Sequence, residues 1–281
     1  MRLAIIAAAV LWGTAGTAAT FTTAGSVPLA AARLVIGGAI LALLARPFRF
    51  RADLLFGALC VAAYQLCFFL AIGRTGVAIG TVVTIGSGPV FTGLLSWAID
   101  RTLPSARWAY GTAAAVAGCA VLVLGGGGEG GADPVGIGLA LISGLIYATY
   151  AVIAARAIGR GIASDTVMGV MFGGAALIML PVLLFTGPGW LAEPAGLLTA
   201  LYLGAATTAL AYVLYGRGLR TTPVATAATL ALAEPAVAAL LGVAVLGERL
   251  AGASWAGLAL LAVSLLVVAL PDRRVPVGSA A

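Results

Sequence analysis

The sequence predicts an all-α integral membrane protein: ten transmembrane helices as two inverted five-helix repeats, with the N and C termini cytoplasmic. Three observations predict it. Apolar runs of about 20 residues, the length a membrane helix needs, alternate with short polar turns. The arginines gather on every second turn. The second half of the chain echoes the first.

The apolar runs set the class. The chain of 281 residues is 62% hydrophobic and only 9% charged, where a soluble domain carries about 25% charged residues. Its mean hydropathy is +1.15. A membrane barrel would show alternating strands of about ten residues instead. The expected segments are 3–24, 28–46, 53–73, 77–98, 105–124, 134–156, 165–186, 194–216, 223–245 and 252–270. Short turns make consecutive helices antiparallel. "FTGPGWLAEP" blurs the start of the eighth. The N-terminus resembles a signal peptide, with Arg2 before an apolar stretch, but the run to Ala24 exceeds a signal core. It is therefore read as the first span.

The arginines set the orientation. All fifteen cations are arginine, and the net charge is +6. With the N-terminus in the cytoplasm, the inner side holds Arg2, Arg46, Arg49, Arg51, Arg101, Arg107, Arg156, Arg160, Arg217, Arg220, Arg273 and Arg274. The outer side holds only Arg74 and Arg249, and Arg33 lies within a segment. Basic residues favour the cytoplasmic side, so this positive charge orients helices and predicts no nucleic-acid partner.

The echo sets the architecture. "AIGRTGVAIGTVVTIGSGPVFTGLLSW" (71–97) resembles "RGLRTTPVATAATLALAEPAVAALLGV" (217–243), aligning Arg74 with Arg220 and Pro89 with Pro235. Trp108 aligns with Trp255, and Gly37-Gly38-Ala39 with Gly173-Gly174-Ala175. The first repeat covers 1–124, a Gly-rich outer linker 125–133, the second repeat 134–271 and a cytoplasmic tail 272–281. A five-helix unit is odd, so its second copy enters from the opposite side. Such inverted repeats mark many secondary transporters.

Composition also excludes. Without histidine there is no Ser–His pair and no ordinary zinc site. Cys60, Cys67 and Cys119 lie in apolar runs and read as small buried hydrophobes. Only one carboxylate, Glu234, lies deep in a segment, so no acid dyad can form. No phosphate-binding Gly-x-x-x-x-Gly-Lys loop is present. The sequence thus predicts no enzyme, no metal and no cofactor.

These residues carry a family resemblance. Two five-helix repeats, each with a proline in its fourth helix, precede "EPAVAALLGVAVLGERLAGASWAGLALLAVSLLVV" (234–268), with "LWGT" (11–14) and "AARLVIGGAI" (31–40) near the start. They resemble the drug/metabolite transporter superfamily, EamA type. In the first repeat the match is looser: Asp100-Arg101 stands near the place of Glu248-Arg249, and Gly88 replaces the acid before proline. The resemblance implies a bacterial inner-membrane exporter of amino acids or other small metabolites, with aromatic amino acid exporters of the YddG type the nearest kind.

Depth singles out the candidate site. Glu234 is the twelfth residue of its segment, roughly 17 Å in at 1.5 Å per residue, near the midplane. An ionised carboxylate there costs a few kcal/mol. Three roles compete: binding a substrate ammonium, carrying a coupling proton, or satisfying as a neutral acid the backbone freed by Pro235. Pro89 and Pro235 read as packing kinks or as hinges. Trp12, Tyr64, Gln65, Phe68, Ser87, Tyr147, Tyr150, Thr208 and Tyr212 lie mid-segment and are expected to line a mainly apolar substrate pocket, or else to make interhelical contacts. Arg33 either snorkels to the interface or partners a substrate carboxylate; with Glu234 it suits a zwitterion. The Asp100-Arg101 and Glu248-Arg249 neighbours are expected to pair locally. The expected partners are a small-molecule solute and the bilayer, and a monomer is compatible with the pattern.

Overall fold

The computed structural model describes residues 2–45, 51–101, 104–125 and 133–270. Arg46, Arg49, Arg273, Arg274, most of the 125–133 linker and the 272–281 tail lie outside the described residues.

Nine continuous helical stretches among the described residues are long and apolar enough to cross a membrane. One of them, Ala52–Asp100, runs 49 residues, which at 1.5 Å each is about 74 Å. That is more than twice the ~30 Å hydrocarbon core. Gly76 breaks it, with φ 79° and ψ 162°, a backbone region open essentially to glycine alone. The halves fold back tightly: a methyl group on Gly80 would lie 2.7 Å from the Ile72 side chain. Ten helices result. They are α1 (Arg2–Ala19), α2 (Ser26–Leu44), α3 (52–75), α4 (77–100), α5 (Ala106–Leu124), α6 (Pro134–Gly159), α7 (Ser164–Phe185), α8 (Pro194–Leu219), α9 (Val224–Leu246) and α10 (Gly252–Ala269).

The first helix stops at Ala19, short of the expected Ala24. Thr20 and Phe21 turn out of it, bonding back to the Thr17 and Ala18 carbonyls at 3.2 and 3.3 Å. The blurred stretch before α8 is a 3₁₀ turn, Pro188–Ala192, that follows Gly187 at φ 82°. Caps mark other starts. Ser105 accepts from the Trp108 N–H before α5, and Asp133 accepts from the Val135 N–H before α6, with Pro134 in the first turn.

Glycine seams set the packing. Helix α2 runs along α7, its repeat counterpart, and α5 runs along α10. A methyl on Gly173 would meet the Ala42 Cβ at 2.8 Å, and one on Gly118 the Leu261 backbone at 2.7 Å. Small residues admit this approach where lipid supplies no hydrophobic force between helices. Helix α6 packs on α3 and α4, and α1 on α8 and α9; each repeat's first helix thus lies on the other repeat. Outward-facing side chains are largely apolar, Leu184, Leu198 and Leu266 among the most exposed, as a lipid-facing surface requires. All three cysteines are free, Cys60 and Cys119 buried and Cys67 half-buried.

Charges mark the ends. At the Arg2 end, Asp53 takes Arg51 at 2.9 Å and Arg160 at 3.9 Å, Asp100 takes Arg156 at 2.9 Å, and Asp165 takes Arg217 at 3.9 Å. At the opposite end Arg74 meets Asp133 at 3.5 Å. The expected local pairs do not form. Asp100 reaches across to α6 because Arg101 closes α4 in a left-handed conformation, φ 55°. Glu248 folds back on α9, its N–H bonding the Gly242 carbonyl at 3.0 Å.

Candidate functional site

The predicted aromatic residues converge. Tyr64 of α3 has its ring centroid 6.0 Å from Tyr147, 6.1 Å from Tyr150 and 6.2 Å from Phe68. On α6, Tyr147 and Tyr150 stand one turn apart, edge to face at 5.2 Å. Trp12 of α1 lies 5.1 Å from Tyr212 of α8. Hydroxyl pairs bind α6 to α8: Tyr150 and Tyr212 Oη are 3.1 Å apart, and Tyr147 and Tyr215 Oη 3.5 Å. Buried tyrosines need such partners.

Two members escaped the sequence reading. Tyr215 packs 5.5 Å from Trp12 and is 1% exposed; its spacing of three from Tyr212 was the available signal. Phe172 of α7 bridges Tyr150 at 6.4 Å and Tyr212 at 3.8 Å, and nothing in "GVMFGG" distinguishes it from packing. Rings from α1, α3, α6, α7 and α8 therefore form one cluster drawn from both repeats.

A π-helical turn, Ala205–Leu210, sets the α8 face. One extra residue rotates everything beyond it by about 100° relative to a regular helix. Thr208 lies within that turn. Its hydroxyl donates to the Leu203 carbonyl at 3.0 Å, five residues back, and its side chain fills the groove left by Gly37. Ser87 donates to the Thr84 carbonyl at 3.2 Å and packs against Gly144 of α6. Gln65 is buried, and its amide bonds no described residue.

The two prolines differ. Pro89 sits in a helix that runs unbroken through it, with the Thr92 hydroxyl on the Gly88 carbonyl at 2.7 Å. Pro235 follows a local tightening of α9: Ala231 and Leu232 keep helical dihedrals, but the Leu232 N–H bonds the Thr229 carbonyl three residues back at 3.0 Å. The Ala231 carbonyl that Pro235 cannot engage accepts the Glu234 N–H at 3.0 Å. The Glu234 carboxylate is therefore not needed to satisfy that carbonyl, and it makes no hydrogen bond or ion pair with a described residue. Helix α1 closes on this turn: a methyl on Gly13 would lie 2.7 Å from the Glu234 carbonyl oxygen and 2.6 Å from the Val237 Cβ.

Arg33 is half-buried between the buried Ala32 and Leu34. Its Nε is enclosed without a partner. A cavity of about 490 Å³ opens between α1, α8 and α9, lined by Thr14, Phe21, Thr199, Tyr202 and Leu241, with the Thr14 and Tyr202 hydroxyls 2.8 Å apart at its wall and none of the clustered rings in its lining.

The described residues hold no cluster of acids and cysteines able to bind a metal ion. Among the described residues the arrangement is an aromatic wall, with one mid-helix acid and one mid-helix guanidinium that make no ion pair.

Known proteins agree with this architecture. A solved crystal structure superimposes with a TM-score of 0.81 at 24% identity, covering 95% of this chain and 96% of its own, which establishes the shared fold. The uncharacterized transporter YwfM of Bacillus subtilis (strain 168) is 37% identical over 250 residues, 86% of this chain and 84% of that protein. The EamA-like transporter family matches twice, over residues 2–124 and 134–270. With each five-helix half matched separately and a curated transporter aligned along most of its length, the chain belongs to the EamA-like transporter family.

Proposed function

We propose that this protein is a secondary transporter exporting small metabolites, foremost amino acids including aromatic and hydrophobic ones, by alternating access through a central cavity. In this reading the chain crosses a bacterial inner membrane ten times with the Arg2 end in the cytoplasm, which the positive-inside bias of the arginines supports. The observation that carries the reading is the continuous aromatic cluster built from both repeats. Aromatic faces bind apolar side chains, and a few convergent polar groups fix orientation.

Ion pairs at the cytoplasmic end, Asp53–Arg160 and Asp100–Arg156, tie α6 to both arms of the α3–α4 hairpin. The cavity between α1, α8 and α9 lies toward the other end. With no nucleotide-binding loop in the chain, flux runs down a gradient or couples to an ion.

Purified protein in proteoliposomes tests the reading. Phenylalanine and leucine are expected to show protein-dependent counterflow, and a panel of drugs and nucleotide sugars none of similar size, each run with and without a pH gradient. A preference for nucleotide sugars overturns the amino acid assignment.

A further inference from the structure

The cavity of about 490 Å³ between α1, α8 and α9 falls in the size range of small-molecule pockets. None of the described residues that line it is charged. Its wall is apolar except for hydroxyls on two facing helices. Thr14 of α1 and Tyr202 of α8 satisfy one another, their oxygens 2.8 Å apart. Thr17 of α1 and Thr199 of α8 also line the cavity, and neither hydroxyl bonds a described residue. Other helical threonines show what is missing. Thr186, Thr207 and Thr229 each return the hydroxyl to the carbonyl four residues back. Thr199 does not, although it is only 6% exposed. A polar group so buried is ordinarily paired, and the cavity is where its partner can sit.

The place in the bilayer narrows the partner. Thr17 lies about 3 Å from the end of α1 at Ala19, and Thr199 about 8 Å from the start of α8 at Pro194, at 1.5 Å per residue. Both helix ends are on the side away from Arg2. Leu198 lines the same cavity and is exposed. An exposed leucine at that depth faces lipid, so the cavity opens sideways into the bilayer. A charged group is costly there, and no cation or acid in the lining offsets it. An acyl chain fills the space but leaves Thr17 and Thr199 unpaired. A neutral, hydrophobic molecule with a hydroxyl or carbonyl oxygen meets both conditions.

We infer that this cavity is a binding site for a neutral apolar molecule bearing a hydroxyl or carbonyl oxygen, drawn from the bilayer and hydrogen-bonded by Thr199 and Thr17. It is separate from the aromatic cluster, and its ligand differs in class from the charged solute proposed above. Leu241 in its wall lies one turn beyond Val237, where α9 meets Gly13 of α1. The occupant therefore stands in the seam between α1 and α9.

The test uses the protein in lipid nanodiscs and three naphthalene probes, followed by their fluorescence and corrected by empty nanodiscs. They are 2-naphthol, 2-methylnaphthalene, which replaces the hydroxyl with a methyl, and 2-naphthoate, an anion at neutral pH. Binding of 2-naphthol should saturate, 2-methylnaphthalene should bind about tenfold more weakly, and 2-naphthoate should show no saturable binding. Thr199→Val keeps the side-chain shape and should weaken 2-naphthol about fivefold or more without changing 2-methylnaphthalene. Ala195→Phe fills the cavity from an exposed position. It should remove saturable binding of both probes at an unchanged melting temperature. A 2-naphthol signal no greater than that of empty nanodiscs overturns the inference. So does equal affinity for 2-methylnaphthalene, which would leave a bare groove for acyl chains, or equal affinity for 2-naphthoate. Unaltered 2-naphthol binding in either variant also overturns it.

Discussion

Gly88-Pro89 in α4 and Glu234-Pro235 in α9 occupy equivalent places in the two repeats, yet the structure uses them differently. At Gly88 the missing side chain is the point. A methyl group there would lie 3.0 Å from the ring of Tyr147, so the glycine lets that ring settle against the α4 backbone. At Glu234 a side chain is present and the helix tightens just before it into three-residue bonds. The two repeats therefore differ at this place: Gly88 admits the Tyr147 ring, and Glu234 carries an acid.

Substitutions that erase the difference should matter most where packing is tightest. Gly88→Val drives its methyls into Tyr147 and strains the Tyr147–Tyr215 contact. Overpacking of this kind costs about 1–3 kcal/mol, so the melting temperature should fall and phenylalanine counterflow should drop below about a tenth of wild type. A variant with normal flux would show that the ring has room to spare.

The prolines come next. Pro235→Ala lets α9 bond regularly across Ala231 and Leu232, relaxing the tightened turn. Turnover should slow several-fold if that turn moves during the cycle, whereas Pro89→Ala, in an already continuous helix, should change turnover less than twofold. Equal effects on initial counterflow rates would erase the distinction between the two prolines.

Tyr150→Phe is a smaller change. It leaves the Tyr212 hydroxyl buried without its partner at 3.1 Å, a loss of about 1 kcal/mol, readable by thermal unfolding in detergent. Smallest is Asp100→Asn. The Asp100–Arg156 pair is well exposed, and surface pairs contribute about 0–1 kcal/mol. Thermal stability should barely move, and a large loss would mean that the inner tie carries more of the fold than its exposure suggests.

Much of this was legible in the chain. Helix positions follow from apolar length, since lipid leaves the backbone no alternative but to bond within each segment. The turn at Gly76 was visible as a polar gap between runs, although its glycine-only dihedrals were not. The convergence of Trp12, Tyr64, Tyr147, Tyr150 and Tyr212 followed from depth, because polar rings near the midplane have to face protein. Thr208 shows where such reasoning stops: a π-helical turn shifts the phase of α8, and no periodic count anticipates the extra residue. Phe172 shows another limit, since an apolar ring in an apolar run carries no mark of its neighbours. The Asp100–Arg156 tie depends on two helices of different repeats meeting at one end, which only the packing reveals.

The account turns on Glu234 as the single acid of the aromatic site. Its N–H bonds the Ala231 carbonyl, and among the described residues its carboxylate has no hydrogen-bonded or ion-paired partner. Phenylalanine counterflow through Glu234→Gln in proteoliposomes, against wild-type protein of matched amount and melting temperature, tests that most directly. A fall of at least about tenfold, roughly 1.4 kcal/mol of lost stabilisation, is the predicted result. Flux equal to wild type would mean that the charge takes no part in handling the solute.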